Sequence, residues 1–391
     1  MTDTGSWLRG RAAFVGFGHT RYGKRGELGA AGPVPLVVEA VAKAAADAGI
    51  SPADIDGWCS YSGDSVEPAI LASTFGAKHL RFTGMGWGGG GGSMGGAFLY
   101  AAMAVATGQA NYVAVTRGVV QGGQFGNRFG GMGRTAAPRF PGLQTPGQSF
   151  ALAARRHMHV YGTTIDHFGE IAINARRNAK NNPDARFREE ITMEDHHESR
   201  MICDPLRLLD FCMESDSGNC VILASAERAK DAPQPPVVLA GGAMGAPYRW
   251  GQGMFGGNNM AAEDFASAGQ RTVADDLYRN AGIGPGDVDL ANIYDHFTPM
   301  VLMGLEDFRF CAKGESGPFV ADGNIRLGGT IPVNPHGGNL AEVYNHGMSH
   351  VYEAMRQLRG TSSNQIDGAE VALVVAGSSP TPTSALLLRK G

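Results

Sequence analysis

The chain has 391 residues, 58 of them glycine, five cysteines and a formal net charge of -4. That length suits two core-forming halves, and the scattered Lys and Arg offer neither a basic face for nucleic acid nor a patch for a membrane surface. Cys59, Cys203, Cys212, Cys220 and Cys311 are odd in number and widely spaced, with no CxxC pair, which argues against a disulfide framework and for reduced thiols.

The first residues, MTDTGSWLRGRAAFVGFG, place charge ahead of any apolar run, unlike a secretory leader, and no stretch reaches membrane-spanning length. A soluble, cytoplasmic protein is expected. Short apolar runs at residues 12–17, 112–115, 237–239 and 371–375 read as strands, and the Ala-rich stretches between them as helices, so the class is α/β. The segment AADAGISPADIDGWCSY (residues 45–61) recurs without a gap as YRNAGIGPGDVDLANIY (residues 278–294). Each copy reads as the end of a helix, a glycine cap at Gly49 or Gly282, a proline turn and a strand. Each copy is followed, farther along, by a glycine-rich turn (88–92; 337–338), a small-residue helix (about 94–108; 347–358) and an apolar strand (111–116; 370–376). Two topologically equivalent halves are therefore expected, residues 1–240 and 241–391, with Tyr61 and Tyr294 at matching strand ends and a homodimer built across the core. A polar stretch at about 118–220 interrupts the first half and reads as loops plus a helix covering one face.

Several blocks carry a family resemblance: VGFGHTRYGKR (15–25), YGTTIDHFGEIAINARRNAKNNPDARFRE (161–189), DPLRLLDFC (204–212) and LGGTIPVNPHGG (327–338). Over nearly its whole length the chain resembles the sterol-carrier-protein or lipid-transfer-protein branch of the thiolases. The resemblance implies the thiolase fold, two βαβαβ-type halves related by a pseudo-twofold in a five-layered α/β/α/β/α core. It also shows a departure. The turn that holds a thiolase's nucleophilic cysteine reads GMGWGGGGGSMGG, a second catalytic cysteine is replaced within VVAGSSPT (374–381), and Tyr294 in YDHF and Tyr344 in EVYNHG stand where histidines are expected. Without a thiolate, thiolysis and Claisen condensation lose their acyl carrier.

Tyr294 with His296 and Tyr344 with His346 remain, two pairs at the same Tyr-x-His spacing. On extended backbone both members of a pair face one side. Two phenols and two imidazoles can move protons with no covalent intermediate, as retro-aldol cleavage beside a thioester requires. A phenol titrates near pH ~10, so either a lowered pKa or a relay through histidine is needed. As core residues, the same tyrosines would simply tie their hydroxyls to backbone. Bare N–H groups at Gly90, Gly91 and Gly92, with Gly337 and Gly338 in the second half, suit an oxyanion or bulky substrate, or close helix packing. GMGWGG lacks the acidic residue of a dinucleotide turn, Asp195-His196-His197 on an expected solvated helix has no third metal ligand, and His336 has no assigned role. No metal and no cofactor is expected, CoA being part of the substrate. Arg128, Arg134 and Arg139 are candidates for the CoA phosphates.

Chains of this family that lack both cysteines and carry this glycine run resemble the lipid-transfer-protein aldolases of bacterial steroid side-chain degradation. That resemblance implies cleavage of a 17-hydroxy steroid C-20 carboxyl-CoA to a 17-ketosteroid and propionyl-CoA. It also implies a partner with an OB-fold and zinc ribbon, fused or bound to an enoyl-CoA hydratase. The rival expectation is a non-catalytic thiolase-like lipid carrier or scaffold.

Overall fold

The structure is a computed structural model that describes residues 5–61, 63–88, 90–122, 145–247, 266–378 and 382–391. Arg128, Arg134 and Arg139 lie outside the described residues. Among the described residues twelve strands occur: β1 (Ala12–His19), β2 (Gly23–Lys24), β3 (Gly57–Tyr61), β4 (Phe82–Gly86), β5 (Tyr112–Val119), β6 (Met201–Cys203), β7 (Leu206–Arg207), β8 (Ser215–Ser225), β9 (Val237–Gly245), β10 (Leu290–Ile293), β11 (Val371–Val375) and β12 (Thr383–Lys390). The helices are α1 (Pro33–Ala48), α2 (Pro68–Phe75), α3 (Met94–Ala106), α4 (Pro146–Tyr161), α5 (Ile165–Ala179), α6 (Met193–Glu198), α7 (Arg271–Ala281), α8 (Thr298–Asp307), α9 (Ser316–Ala321), α10 (Gly338–Ala341) and α11 (Met348–Arg359).

The internal repeat is a structural repeat. Helices α1 and α7 both end on a glycine in the left-handed region, Gly49 at φ 69° and Gly282 at φ 70°, which accept that backbone because they have no Cβ. A single 3-10 turn opening on Pro52 or Pro285 then leads into β3 or β10. In the first half β3 runs parallel to β5, which pairs antiparallel with β8 and through it with β1. In the second half β10 runs parallel to β11, which pairs antiparallel with β12 and through it with β9. The equivalent strands β1 and β9 meet antiparallel at Ala13–Val238 and Phe14–Val237, so the strand order is β10-β11-β12-β9-β1-β8-β5-β3-β4. Tyr61 closes β3 and Tyr294 follows β10 directly, the matching ends expected of the repeat.

Apolar side chains sort these elements into five layers. Val37, Val41 and Ala44 of α1 pack against Ala13, Trp58 and Ala114 on the outer face of the first half. Phe98, Ala101 and Val105 of α3 join Val351 and Met355 of α11 between the strands of the two halves, against Phe14, Leu239 and Leu386. Val273, Leu277 and Ala281 of α7 cover the far face with α5 and α8. The close approach is written into glycines: a Cβ on Gly16 of β1 would lie 2.3 Å from the Ala44 carbonyl, and one on Gly241 of β9 2.7 Å from the Ala281 Cβ.

The stretch expected to hold loops plus a helix instead holds two long helices, α4 and α5, with α6 and the β6-β7 hairpin. Its missed signal is Thr145-Pro-Gly-Gln148, a capping sequence in which the Gln148 side chain accepts the Thr145 N–H at 3.0 Å. Helix α6 is not solvated on all sides. His196 is buried with Nε2 2.8 Å from Asp210, and of the two histidines only His197 is exposed, beside Asp166. No helix among the described residues is long and apolar enough to cross a membrane, and none of their His, Cys, Asp and Glu side chains form a group of three that could hold a metal ion.

Candidate active site

Four turns meet at one end of the two halves: the glycine run before α3, the Tyr294–Phe297 turn after β10, the turn from α10 into α11, and the segment after β11. Their meeting point is the ring of Tyr294. A Cβ on Gly91 would fall 2.2 Å from its Cε2, one on Gly347 3.1 Å from its Cδ2, and one on Gly377 3.3 Å from its Cε1. Three glycines therefore cage the phenol, and the Gly377 N–H donates to the Gly91 carbonyl at 3.2 Å, tying two walls together. Any side chain at 91 would collide with Tyr294. The position that resembles the nucleophile turn is thus occupied by the ring of a residue from the other half. A Cβ on Gly90 meets nothing within 4 Å, while the Gly92 carbonyl accepts the Ser384 hydroxyl at 2.7 Å.

Gly337 and Gly338 have a structural task. A Cβ on Gly338 would come within 2.1 Å of Asp295 Oδ2, and one on Gly337 within 2.7 Å of the Ala179 Cβ. Their absence lets the buried Asp295 carboxylate accept the N–H groups of Asn339 at 2.7 Å and Leu340 at 3.2 Å at the start of α10. The Tyr294 turn is fixed in this way to the segment that leads to Tyr344.

Tyr344, partly exposed, meets Tyr294 edge-on with 6.4 Å between ring centres. Its backbone N–H and carbonyl both engage the Ser215 hydroxyl, at 3.1 and 2.8 Å. The Tyr294 hydroxyl is buried without a well-formed hydrogen bond among the described residues. Burial raises the pKa of Tyr294 well above 10, and the adjacent Tyr344 phenol raises it further. Burial also raises Tyr344, Cys212 adds to this, and Tyr294 and Arg117 partly oppose it. Both phenols are therefore neutral at physiological pH. The lowered phenol pKa expected as one route to basicity is not found, and its cause is the dry glycine-lined surroundings.

The two histidines sit beside their tyrosines, with ring centres 5.0 Å apart for Tyr294 and His296 and 5.1 Å for Tyr344 and His346. The expected extended backbone is absent at His346, whose φ is 58°. Burial lowers the pKa of His296 to about 4, and its Nδ1 has no hydrogen-bond partner among the described residues. Burial, with Arg117 next, holds His346 well below the usual imidazole value. Both rings are neutral. Cys212, whose N–H donates to the His296 carbonyl at 3.0 Å, has its thiol pushed up by burial and by Asp295, so no thiolate stands beside the phenols. Burial also raises Cys59 and Cys311 to about 12.

His336 gains a place here. Its Nε2 lies 3.0 Å from His350 Nδ1 and 3.6 Å from Glu342, while His350 Nε2 lies 3.4 Å from Asp295. Burial raises Glu342 to about 8, and its Oε1 is 3.7 Å from Arg356. Gly347, Gly377, Arg117, His350 and Glu342 were not singled out from the sequence. The repeat hinted at Gly347, because it brings the turns before α3 and α11 to equivalent ends, and Gly377 lies in the VVAGSSPT block.

Residues 251–388 match the family described as thiolase C-terminal domain-like. The chain is 42% identical to a steroid side-chain-cleaving aldolase of Thermomonospora curvata, over 98% of this chain and 99% of that one. It is 41% identical to a 17-hydroxy-3-oxo-4-pregnene-20-carboxyl-CoA lyase of Mycobacterium tuberculosis, over 97% of this chain and 100% of that one. A solved structure described as an Ltp2-ChsH2(DUF35) aldolase superimposes with a TM-score of 0.91 at 40% identity, covering 98% of this chain and 99% of that chain. Human mitochondrial 3-ketoacyl-CoA thiolase, at 13% identity and a TM-score of 0.71 over 98% of this chain and 99% of that one, shares the fold. A thiolase fold with a tyrosine caged where a nucleophile is expected, and near-full-length identity above 40% to two such enzymes, place the chain in one family: it belongs to the thiolase-like proteins, alongside the steroid side-chain-cleaving aldolases.

Proposed function

We propose that the chain is a retro-aldolase that cleaves a 17-hydroxy steroid C-20 carboxyl-CoA to a 17-ketosteroid and propionyl-CoA, with Tyr294 and Tyr344 moving the proton. The observation that carries the reading is the adjacent pair of neutral phenols, one of them in the place of the nucleophile. The chemistry is proton-neutral overall. The C-17 hydroxyl loses its proton, its O–H electrons form the ketone, the C17–C20 bond breaks, and that pair becomes the thioester enolate, which takes a proton at carbon. Two touching phenols can perform this without a resident phenolate: one accepts the hydroxyl proton as it passes its own to the other, and the other protonates the enolate carbon. Holding a free phenolate at neutral pH would cost about 4 kcal/mol even at an ordinary phenol pKa, so the concerted shuttle is the cheaper route. His296 and His346, being neutral, orient the phenols or donate to the thioester oxygen.

The likeness to the Ltp2-ChsH2(DUF35) aldolase supports a DUF35 partner; we propose further that this partner is a small OB-fold and zinc-ribbon protein carried on or bound to an enoyl-CoA hydratase. A cytoplasmic homodimer is part of the same proposal. Replacing either hydroxyl tests the assignment. Tyr294→Phe and Tyr344→Phe each lower kcat by about 10² or more, the scale of a lost general acid or base, while the fold and CoA binding persist, and His296→Ala does less. A variant that still exchanges the α-proton of propionyl-CoA for deuterium but cannot cleave has lost the group facing the C-17 hydroxyl. Near-normal turnover in both Phe variants contradicts the assignment.

A further inference from the structure

His346 is held from two sides by groups of the first half. The Tyr61 hydroxyl donates to its backbone carbonyl at 3.0 Å, and the Arg117 Nε–H donates to its Nδ1 at 3.0 Å. Arg117 is itself buried in β5 and cannot easily turn away: one terminal N–H donates to the Tyr61 carbonyl at 2.5 Å, its carbon lies 5.3 Å from the centre of the Tyr61 ring, and Asp64 stands 3.9 Å off. Asp64 is fixed in turn by the Ser60 hydroxyl at 2.8 Å and the Val66 N–H at 3.2 Å. These contacts hold a non-glycine residue at φ 58°, a backbone that L side chains rarely adopt.

The chemistry of the donor fixes the state of the ring. A guanidinium has five N–H donors, no acceptor, and does not lose its proton in a protein. The Nδ1 that receives its hydrogen bond must therefore present a lone pair. A doubly protonated ring or an Nδ1–H tautomer would set two hydrogens against each other in a buried place. Only the neutral ring with its proton on Nε2 is compatible, and that ring packs edge-on to Tyr344. His296 differs: among the described residues its Nδ1 receives no such guanidinium hydrogen bond. The two Tyr-x-His pairs, alike in spacing, are thus built for different tasks.

We propose that Arg117 is a positioning residue that locks His346 as the neutral Nε2–H tautomer, so that this ring serves the Tyr344 side of the cleft as a hydrogen-bond donor and never as a proton acceptor. The role in turnover rests on the aldolase reading, while the lock does not. The test is nitrogen NMR of histidine-labelled enzyme in its complex, with His346→Gln identifying the signal, alongside kinetics of two Arg117 variants. The wild type shows His346 only as Nε2–H from pH 6 to pH 9. Arg117→Lys, also a donor without an acceptor, keeps that tautomer and keeps kcat within about tenfold. Arg117→Met gives mixed tautomers and lowers kcat at least about tenfold with a smaller change in KM. A wild-type His346 that carries its proton on Nδ1, or that becomes charged in this range, overturns the proposal without need of any variant. Mixed tautomers in Arg117→Met with unchanged kcat overturn its role in turnover. An Nε2–H signal in a wild-type protein that cleaves nothing leaves the lock in place and refutes the aldolase reading instead.

Discussion

Tyr294 does what no side chain at position 91 could do, because its ring fills that space from the other half of the molecule. Gly91 is therefore bound to its identity more tightly than its backbone requires. Gly91→Ala adds one methyl at 2.2 Å from the Tyr294 ring, and the ring has to move. A displacement of this size near the chemistry lowers kcat by up to about 10²-fold. We expect that loss with a far-UV spectrum like the wild type's, read by steady-state kinetics and circular dichroism. Unchanged kcat would mean that the caged position of the phenol is irrelevant to turnover. The cysteines make the opposite prediction. With every shifted thiol pKa raised by burial, incubation with a 3-ketoacyl-CoA leaves the intact mass of the protein unchanged and releases no thiolysis product. An acyl-cysteine adduct would put the chemistry back on sulfur.

Behind the tyrosines, α10 and α11 carry a buried polar chain whose protonation couples to folding. Glu342 titrates near 8 in the fold against 4.5 for an unburied carboxyl, so between these values the folded state holds a proton that the unfolded state has lost. Stability falls as pH rises through that window, by up to about 1.4 kcal/mol per pH unit from this group, and levels off above pH 8. His336 and His346, held neutral by burial, act the other way below the imidazole pKa of about 6.5, where the unfolded chain gains protons that the fold refuses. Melting temperature is expected to peak near pH 6.5, and Glu342→Gln is expected to remove the decline toward pH 8. A wild-type melting temperature that climbs from pH 6.5 to pH 8 would contradict this. The elements themselves were largely legible. Alternation of apolar runs and the repeat ending at Tyr61 and Tyr294 were readable, because glycine caps and strand ends are local signals, whereas the expected boundary at 240/241 falls inside β9. The chain from Asp295 through His350 and His336 to Glu342 was not, since it joins residues from separate turns whose shared burial only packing creates. Tyr294 and Tyr344 were found through a resemblance to positions, whereas Arg117, 229 residues from His346 in sequence, left no local trace.

At the scale of the molecule, β4 pairs with β3 along one side and has no strand partner along the other among the described residues; it carries the exposed Met85 and ends beside the 80% exposed Trp87. An unpaired edge flanked by apolar side chains is a surface that soluble proteins cover. We expect the proposed homodimer to use this edge and Trp87→Glu to shift the protein toward monomer in sedimentation; a variant that stays dimeric places the contact elsewhere. The most direct test of the account as a whole is to coexpress the chain with its proposed DUF35 partner, add the 17-hydroxy steroid C-20 carboxyl-CoA, and quantify products by mass spectrometry. We predict 17-ketosteroid and propionyl-CoA in equal amounts, formed about 10²-fold or more slowly by Tyr344→Phe, and intact substrate with wild-type complex would contradict the retro-aldolase assignment.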